Sequence, residues 1–318
     1  MVETILITGA GGYIGGELLR HLGRNASYKL IATDIRETPT PQRIDDVTYY
    51  QADIRDETFF QLVAKERPSV VVHLASIVSA GNNPQFEYSV DVEGTRNVLK
   101  ACTANDVRQL VITSSGAAYG YYADNPSWID ETDPLRGNED FAYSRHKRMV
   151  EEMLAEYRKT HPALKQLIFR PGAVIGETVS NQITNLFEKP FVLGIVGSDS
   201  PFTFIWDRDV VACFIKGITE NREGIFNLAG DGALSLKEIA AILGKPYLPL
   251  PAWLIGGALG LVRKFGLGKL GPEHVKFLQY RPVLSNRRLK EEFGLVPTKT
   301  SRETFDLYRA TRFKGAQR

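Results

Sequence analysis

Short apolar runs alternate with amphipathic stretches between residues 4 and 171, and this alternation predicts strands and helices in succession. Thr4 to Thr8, Tyr28 to Thr33, Val47 to Gln51, Ser69 to Ser76 and Gln109 to Thr113 read as strands. Stretches beginning near Gly12 and Asp56, and those from Phe86 to Thr103 and Phe141 to about Lys159, read as helices. Ser69 to Ser76 is apolar nearly throughout, the pattern of a strand buried on both faces. Such alternation implies right-handed crossovers, hence an α/β fold with a doubly wound parallel-sheet Rossmann domain. Ligands in these sheets lie beyond the carboxyl ends of the strands, where the sequence places Gly9, Asp34, Asp53, Ala75 and Ser115.

From Gly172 to Pro201 the rhythm breaks, and Pro190 to Val196 forms an apolar segment suited to a pocket wall or to plain domain packing. Asp207 to Thr219 reads as a helix, and Gly224 to Ala229 as a strand returning to the first sheet. The expected division is residues 1–171 plus about 204–230 as that Rossmann domain. Residues 172–203 plus 231–318 would form a smaller C-terminal substrate-binding cap. Within that cap, Pro251 to Val262 is apolar on nearly all sides but too short to span a bilayer. A buried cap helix is the first expectation; a greasy mouth for an apolar substrate and shallow membrane contact are the sharper alternatives. Arg281, Arg287, Arg288 and Lys290 read as a solvated helix face rather than a phosphate clamp.

Composition narrows the class. A chain of 318 residues that is 43% hydrophobic can bury a sizeable core. A net charge of +2, with no basic stripe interleaved with aromatics, points away from nucleic acid and toward small-molecule chemistry. Cys102 and Cys213 sit in apolar, helix-like stretches and read as buried small hydrophobes, not as a disulfide or metal site. They imply a reducing compartment. The first strand begins almost at Met1 and no apolar run reaches about 18 residues, so a cytoplasmic protein without stable membrane insertion is expected.

The first strand runs into Gly9-Ala10-Gly11-Gly12-Tyr13-Ile14-Gly15. Glycines at 9, 12 and 15 allow a sharp turn, close ligand approach and tight helix packing, while the unpaired amides of the following helix attract an anion. A dinucleotide pyrophosphate suits that site. Asp34 closes the second strand near the ~20-residue offset at which an acid meets the adenosine ribose, which favours NAD. Arg36 leaves NADP open. Asp53 and Ile54 suit an adenine, the acid taking the amino group and the apolar residue covering the ring; helix capping is the competing reading of Asp53. His73 closes a buried strand and reads as a packed, hydrogen-bonded group rather than a catalyst.

Tyr143 and Lys147 are four residues apart and share a helix face. A neighbouring ammonium favours a phenolate, so a tyrosine so placed can exchange protons with an alcohol or carbonyl. Ser115 can donate a hydrogen bond to the same oxygen. His146 projects from another face and reads as a packing or surface residue.

In their order along the chain, these motifs resemble the extended short-chain dehydrogenase/reductases, in the UDP-galactose-epimerase-like epimerase/dehydratase group. The resemblance covers about the first 230 residues. It rests on Thr8 to Gly15, Asp34, Asp53-Ile54, His73 to Ser76, Val92 to Thr95, Ser114-Ser115 with Tyr119-Gly120, Tyr143 to Lys147, and Arg170 to Gly172. It implies Ser115, Tyr143 and Lys147 as the catalytic set, with Lys147 also on the nicotinamide ribose. Cofactor contacts are implied for Gly9, Gly12, Tyr13, Ile14, Gly15, Asp34, Asp53, Ile54, Leu74, Ala75, Ser76, Tyr143, Lys147 and Pro171. The helices near residues 86–103 and 141–159 resemble those of the family's dimer interface, so a homodimer is expected.

Departures from the group's pattern shape the expected chemistry. Gly116-Ala117 stands where dehydratases carry an Asp-Glu pair, which disfavours elimination of water. Pro171-Gly172-Ala173 lacks the usual asparagine, and Phe202-Thr203 lacks the usual diphosphate-binding arginine, so a sugar nucleotide would lose two anchors. Asp91 stands where an asparagine is common. The leading expectation is an NAD-dependent oxidoreductase acting on a secondary alcohol or ketone of a bulky, partly apolar small molecule. An NAD-dependent epimerase acting by transient oxidation is the runner-up, and a non-catalytic dinucleotide sensor stands third.

Overall fold

The computed structural model describes residues 2–78, 83–267 and 271–313. Its central sheet is built from β1 (Glu3–Thr8), β2 (Tyr28–Asp34), β3 (Val47–Gln51), β4 (Val70–His73) and β5 (Gln109–Thr113). The first helices between them are α1 (Tyr13–Leu22), α2 (Glu57–Glu66), α3 (Pro84–Tyr88) and α4 (Thr95–Ala104). The long helix α5 (Ala142–Thr160) and strand β6 (Lys165–Pro171) follow. Next come β7 (Ala173–Ile175), α6 (Gln182–Phe187), β8 (Val192–Ile195), β9 (Phe204–Trp206), α7 (Asp207–Thr219) and β10 (Gly224–Leu228). The last third holds α8 (Leu236–Leu243), β11 (Tyr247–Leu250), α9 (Ala252–Lys264), α10 (His274–Gln279), α11 (Arg287–Glu291) and α12 (Ser301–Arg312).

Seven strands form one sheet in the order β10-β6-β5-β4-β1-β2-β3, and every pairing is parallel. Ile5 lies between Leu30 of β2 and Val70 of β4, so β1 is central. The chain winds outward to β3, returns beside β1 as β4, and then winds outward the other way. That reversal opens a crevice at the carboxyl ends of β1 and β4. The expected doubly wound Rossmann fold is what the chain forms.

Each sheet face has its own core. Leu18, Leu22, Phe214, Leu289 and Phe293 cover one side, and Phe59, Leu62, Leu99, Cys102 and Leu154 cover the other. Leu289 and Phe293, near the end of the chain, therefore pack against the main sheet, with Phe293 edge-on to Phe169 at 5.6 Å. A separate aromatic core joins Phe187, Phe202, Phe204, Phe305 and Tyr308, Phe187 lying 5.3 Å from Phe305. The short parallel pairs β7-β9 and β8-β11 belong to this outer part.

The stretch expected as one helix from Phe86 to Thr103 is interrupted. Ser89–Gly94 winds as a π-helical turn between α3 and α4. Cys102 and Cys213 are fully buried and free, and burial pushes both thiols up. Among the described residues, no helix is long and apolar enough to cross a membrane.

The expectation of a buried helix over residues 251–262 is not met. In α9 only Ile255 is buried, whereas Trp253 is 76% exposed and Leu261 58% exposed. A helix apolar on all sides needs cover on all sides, and this one is covered on one.

Candidate active site

At the crevice, Gly9 adopts φ +66°, and a Cβ there would lie 2.6 Å from the Ala75 backbone nitrogen. Only glycine fits both the torsion and the approach. A Cβ on Gly15 would meet the Gly9 carbonyl oxygen at 2.6 Å, so this glycine lets α1 close onto the turn. Gly11, Gly12 and Tyr13 are exposed, and the N-cap of α1 at Gly12 receives no side-chain hydrogen bond. The turn thus presents open amides at a helix N-terminus, a cradle that fits a pyrophosphate.

Asp34 stands at the end of β2. Its Oδ2 accepts from the Gly11 amide at 3.1 Å and its Oδ1 from the Arg36 amide at 3.1 Å. The Arg36 side chain is 82% exposed, with its Nε 3.9 Å from Asp34 Oδ1. Asp53 neither caps α2 nor stands free. Arg55 Nε donates to both its oxygens, at 2.9 and 3.0 Å, and the Arg55 side chain holds this carboxyl below the usual carboxylate range. The cap position is Asp56, without a side-chain cap bond. Ile54 is buried, and a Cβ on Gly94 would collide with its Cδ1 at 2.5 Å. Leu74, Ala75 and Ser76 follow β4 half-buried at the crevice, Ile14 in the first turn of α1 packs half-buried against the core, and Pro171 is buried at the end of β6.

His73 is a packed residue, as expected. Its Nδ1 lies 2.7 Å from Thr8 Oγ1 and its Nε2 3.0 Å from Thr95 Oγ1. Burial, helped by the Lys147 charge, lowers its pKa to about 3.

Ser115, Tyr143 and Lys147 come from two segments that are pinned together. Lys147 Nζ donates to the Thr113 carbonyl at 3.3 Å, two residues before Ser115. Ser144 Oγ donates to the Ala117 carbonyl at 2.7 Å, two residues after it. The start of α5 thereby brackets Ser115. Ser115 Oγ accepts from the Ala117 amide at 3.1 Å, and its own proton has no acceptor among the described residues. Tyr143 is half-buried, its hydroxyl makes no hydrogen bond among the described residues, and the Lys147 ammonium lies 5.7 Å from its ring centre.

Lys147 is held from behind. Its Nζ donates to Ser76 Oγ at 3.0 Å, and Ser76 donates to Asp91 Oδ1 at 2.9 Å. Burial opposes charge on Asp91, but His146, Lys147, the Ile77 amide and Ser76 together hold the carboxyl below its ordinary value. His146 is fully buried, with Nδ1 3.5 Å from Asp91 Oδ2 and its ring edge-on to Tyr88. It is a packing residue, not a surface one.

Glu151 and Asn227 carried no sequence signal of their own, and they join motif residues into one network. Ser114 Oγ donates to Glu151 Oε1 at 2.6 Å, and Arg170 grips Glu151 through two bonds of 2.7 and 2.6 Å. Arg170 also reaches Tyr119 Oη at 2.8 Å, and Tyr119 donates to Asn227. This buried network underlies Ser115. A charged residue inside a buried strand demands a partner, and Glu151, one turn beyond Lys147, was the available acid. Tyr13 Oη donates to Asp207 and lies 3.1 Å from Thr178 Oγ1, tying the glycine turn to the start of α7. Burial first, and Asp207 next, push the Tyr13 hydroxyl up to about 12.

Arg281 corrects the expectation of a solvated basic face. Its guanidinium lies 3.3 Å from the ring centre of Phe202 and 4.4 Å from that of Phe277. It donates to the Ser200 and Phe277 carbonyls; among the described residues no carboxylate pairs with it, and its buried Nε has no partner. Phe277 packs against Tyr121, which in turn packs against Phe141. The unpaired cation therefore belongs to the shell of aromatics around the start of α5.

Fold and site define a dinucleotide-binding α/β enzyme. The chain belongs to the NAD dependent epimerase/dehydratase family, whose model matches residues 5–229, and NAD is its cofactor. An uncharacterised protein of Mycobacterium tuberculosis is 24% identical over 313 residues, 96% of this chain and 83% of that one. The N-acetyl-alpha-D-glucosaminyl-diphospho-ditrans,octacis-undecaprenol 4-epimerase of Escherichia coli O157:H7 is 25% identical over 273 residues, 81% of this chain and 78% of that one. The structure of UDP-glucose 4-epimerase from Thermus thermophilus in complex with NAD shares the fold, with TM-score 0.75 and 23% identity, over 99% of this chain and 100% of that one.

Proposed function

We propose that the chain oxidises a secondary alcohol of a small molecule, with Tyr143 as acid and base, Ser115 as orienting donor and Lys147 as electrostatic support. The observation that carries this reading is the Tyr143 hydroxyl, without a partner among the described residues, on the helix whose Ser144 and Lys147 pin the segment that carries Ser115. Tyr143 Oη takes the proton of the substrate hydroxyl. The Lys147 ammonium stabilises the phenolate that accepts it, and Ser115 Oγ donates to the same substrate oxygen. Gly9, Gly12, Tyr13, Ile14 and Gly15 would hold the pyrophosphate, with Asp34 at the ribose and Asp53, Ile54, Leu74, Ala75, Ser76 and Pro171 around the remainder. NAD, when bound, supplies a hydride acceptor at the carbinol carbon, and return of the hydride to the opposite face would make the net reaction an epimerisation.

The unpaired Arg281 favours that epimerase reading over the leading expectation of a dehydrogenase for a bulky, partly apolar alcohol or ketone. A cation among aromatics suits an anionic group such as a diphosphate, which the name of the Escherichia coli relative specifies for its own substrate. Elimination of water remains disfavoured. Gly116 and Ala117 are buried and carry no acid, and a Cβ on Gly116 would meet the Leu284 side chain at 3.0 Å, so an acidic side chain there would have to displace Leu284. The helices α4 and α5 would form a homodimer interface, and a cytoplasmic location is part of this proposal.

Denaturing the purified protein and quantifying the released dinucleotide tests the two outcomes. Near one NAD per chain, with interconversion of sugar-diphosphate epimers, supports epimerisation. Little NAD, with net ketone formation, supports a dehydrogenase. No turnover of any alcohol, ketone or sugar diphosphate, with NAD bound, would overturn both.

A further inference from the structure

The outward side of α9 is apolar along its whole length. Leu254, Ala258, Leu261 and Phe265 recur at helical spacing, flanked by Trp253 and Val262, and all six are exposed. Phe265 is 67% exposed and Leu267, just beyond, 80%. The inward side is already used, with Ile255 and Leu259 packed against Leu193, Leu250 and Val275.

Charge identifies the cover. No acidic residue occurs from 251 to 267, while Arg263 and Lys264 close the helix. Arg263 pairs with Glu273 at 2.7 Å, and Lys264 has no partner among the described residues. An apolar face with a tryptophan at one end and basic groups at the other matches a helix lying in a bilayer interface, its cations at headgroup level. A second copy of the chain is the weaker fit. Thirteen residues make a helix about 20 Å long and about 10 Å wide. Its footprint of roughly 200 Å² falls far below the ~800 Å² per partner of a stable protein interface.

We propose that α9 docks the protein flat on an anionic lipid bilayer, Trp253, Leu261 and Phe265 entering the interface and Lys264 meeting lipid phosphates. The contact is peripheral and does not span the membrane. It also has a fixed relation to the proposed active site. The adjoining α10 packs His274 on Phe141 at 5.2 Å, and Lys276 pairs with Asp140 at 2.6 Å, both partners lying just before Tyr143. Docking would set the start of α5 close to the lipid surface. The docking proposal stands on α9 alone and does not depend on the proposed hydride chemistry.

The test is sedimentation of the full chain with vesicles of phosphatidylglycerol and phosphatidylcholine, against vesicles of phosphatidylcholine alone, at low and high salt. Binding to the anionic vesicles is expected, weakened at least tenfold by Leu261→Asp and severalfold by Lys264→Glu or by high salt. Both variants replace exposed side chains, so their thermal unfolding and NAD binding should match the parent and exclude misfolding as the cause. No vesicle binding, or binding unchanged in Leu261→Asp, overturns the proposal. Equal binding to neutral vesicles overturns the assignment of an anionic surface. A dimer in light scattering that Leu261→Asp converts to monomer, without vesicle binding, assigns the face to a second copy and overturns it as well.

Discussion

Lys147 and Asp91 are joined by a single hydroxyl: Ser76 Oγ accepts from the ammonium at 3.0 Å and donates to the carboxylate at 2.9 Å. The buried negative charge thus fixes a buried positive one without direct contact. Asp91→Asn keeps an acceptor for Ser76 but removes the charge. It should lower kcat about tenfold, the equivalent of one charge-assisted hydrogen bond, while NAD binding stays near the parent's. Steady-state kinetics beside NAD titration decide this, and an unchanged kcat would detach Asp91 from the site.

Tyr143→Phe removes only the hydroxyl that has no partner among the described residues. Turnover should fall by about 10²–10⁴, the contribution of a positioned acid and base, with NAD affinity nearly intact. Single-turnover measurements with bound NAD provide the check. Full activity in this variant would sink the assigned role.

Gly9→Ala places a methyl group against the Ala75 backbone at a left-handed torsion. The torsion alone costs about 1–2 kcal/mol, and the collision adds displacement of the turn proposed to hold the pyrophosphate. NAD affinity should drop by at least about tenfold. Isothermal titration with NAD measures the loss.

The Arg170 and Glu151 pair is buried on both sides, with two direct bonds. Removing one partner, as in Glu151→Leu, should cost about 3–5 kcal/mol, whereas Arg170→Met with Glu151→Leu should recover much of it. Urea unfolding of the three chains tests the relation. Equal losses in single and double variants would contradict it.

His73 links stability to pH. Its folded pKa of about 3 lies below the ordinary value of 6.5, so the unfolded chain binds the proton more tightly. The stabilisation is complete above pH 6.5 and is lost as pH falls through the window down to about 3. Between pH 6.5 and pH 5 the parent should lose about 2 kcal/mol through this group. His73→Gln should show a shallower decline over that interval in urea unfolding, and parallel declines would show that His73 does not titrate on unfolding.

Features set by local backbone geometry were legible in the sequence. The apolar run of β2 and its closing Asp34, the glycines at 9, 12 and 15, and the four-residue spacing of Tyr143 and Lys147 each report nearby backbone geometry. Features that depend on remote partners were not. Arg281 reads as one more base near the chain end until Phe202 and Phe277, which its own neighbourhood in sequence does not announce, close around it. Asp53 reads as a ligand for adenine or a helix cap, and the choice was altered by Arg55 turning back onto it. An all-apolar α9 cannot declare from its pattern which side the rest of the protein will cover.

The π-helical turn at Ser89–Gly94 ties the site to the length of the chain there. Such a turn holds one residue more than α-helical winding needs, and that surplus lets Asp91 face Ser76 while α4 keeps its apolar side on the sheet. Deleting one residue there would restore regular winding and rotate Asp91 by about 100° relative to α4. Substitutions at that turn can be graded in their effect, but a change of length is all or nothing.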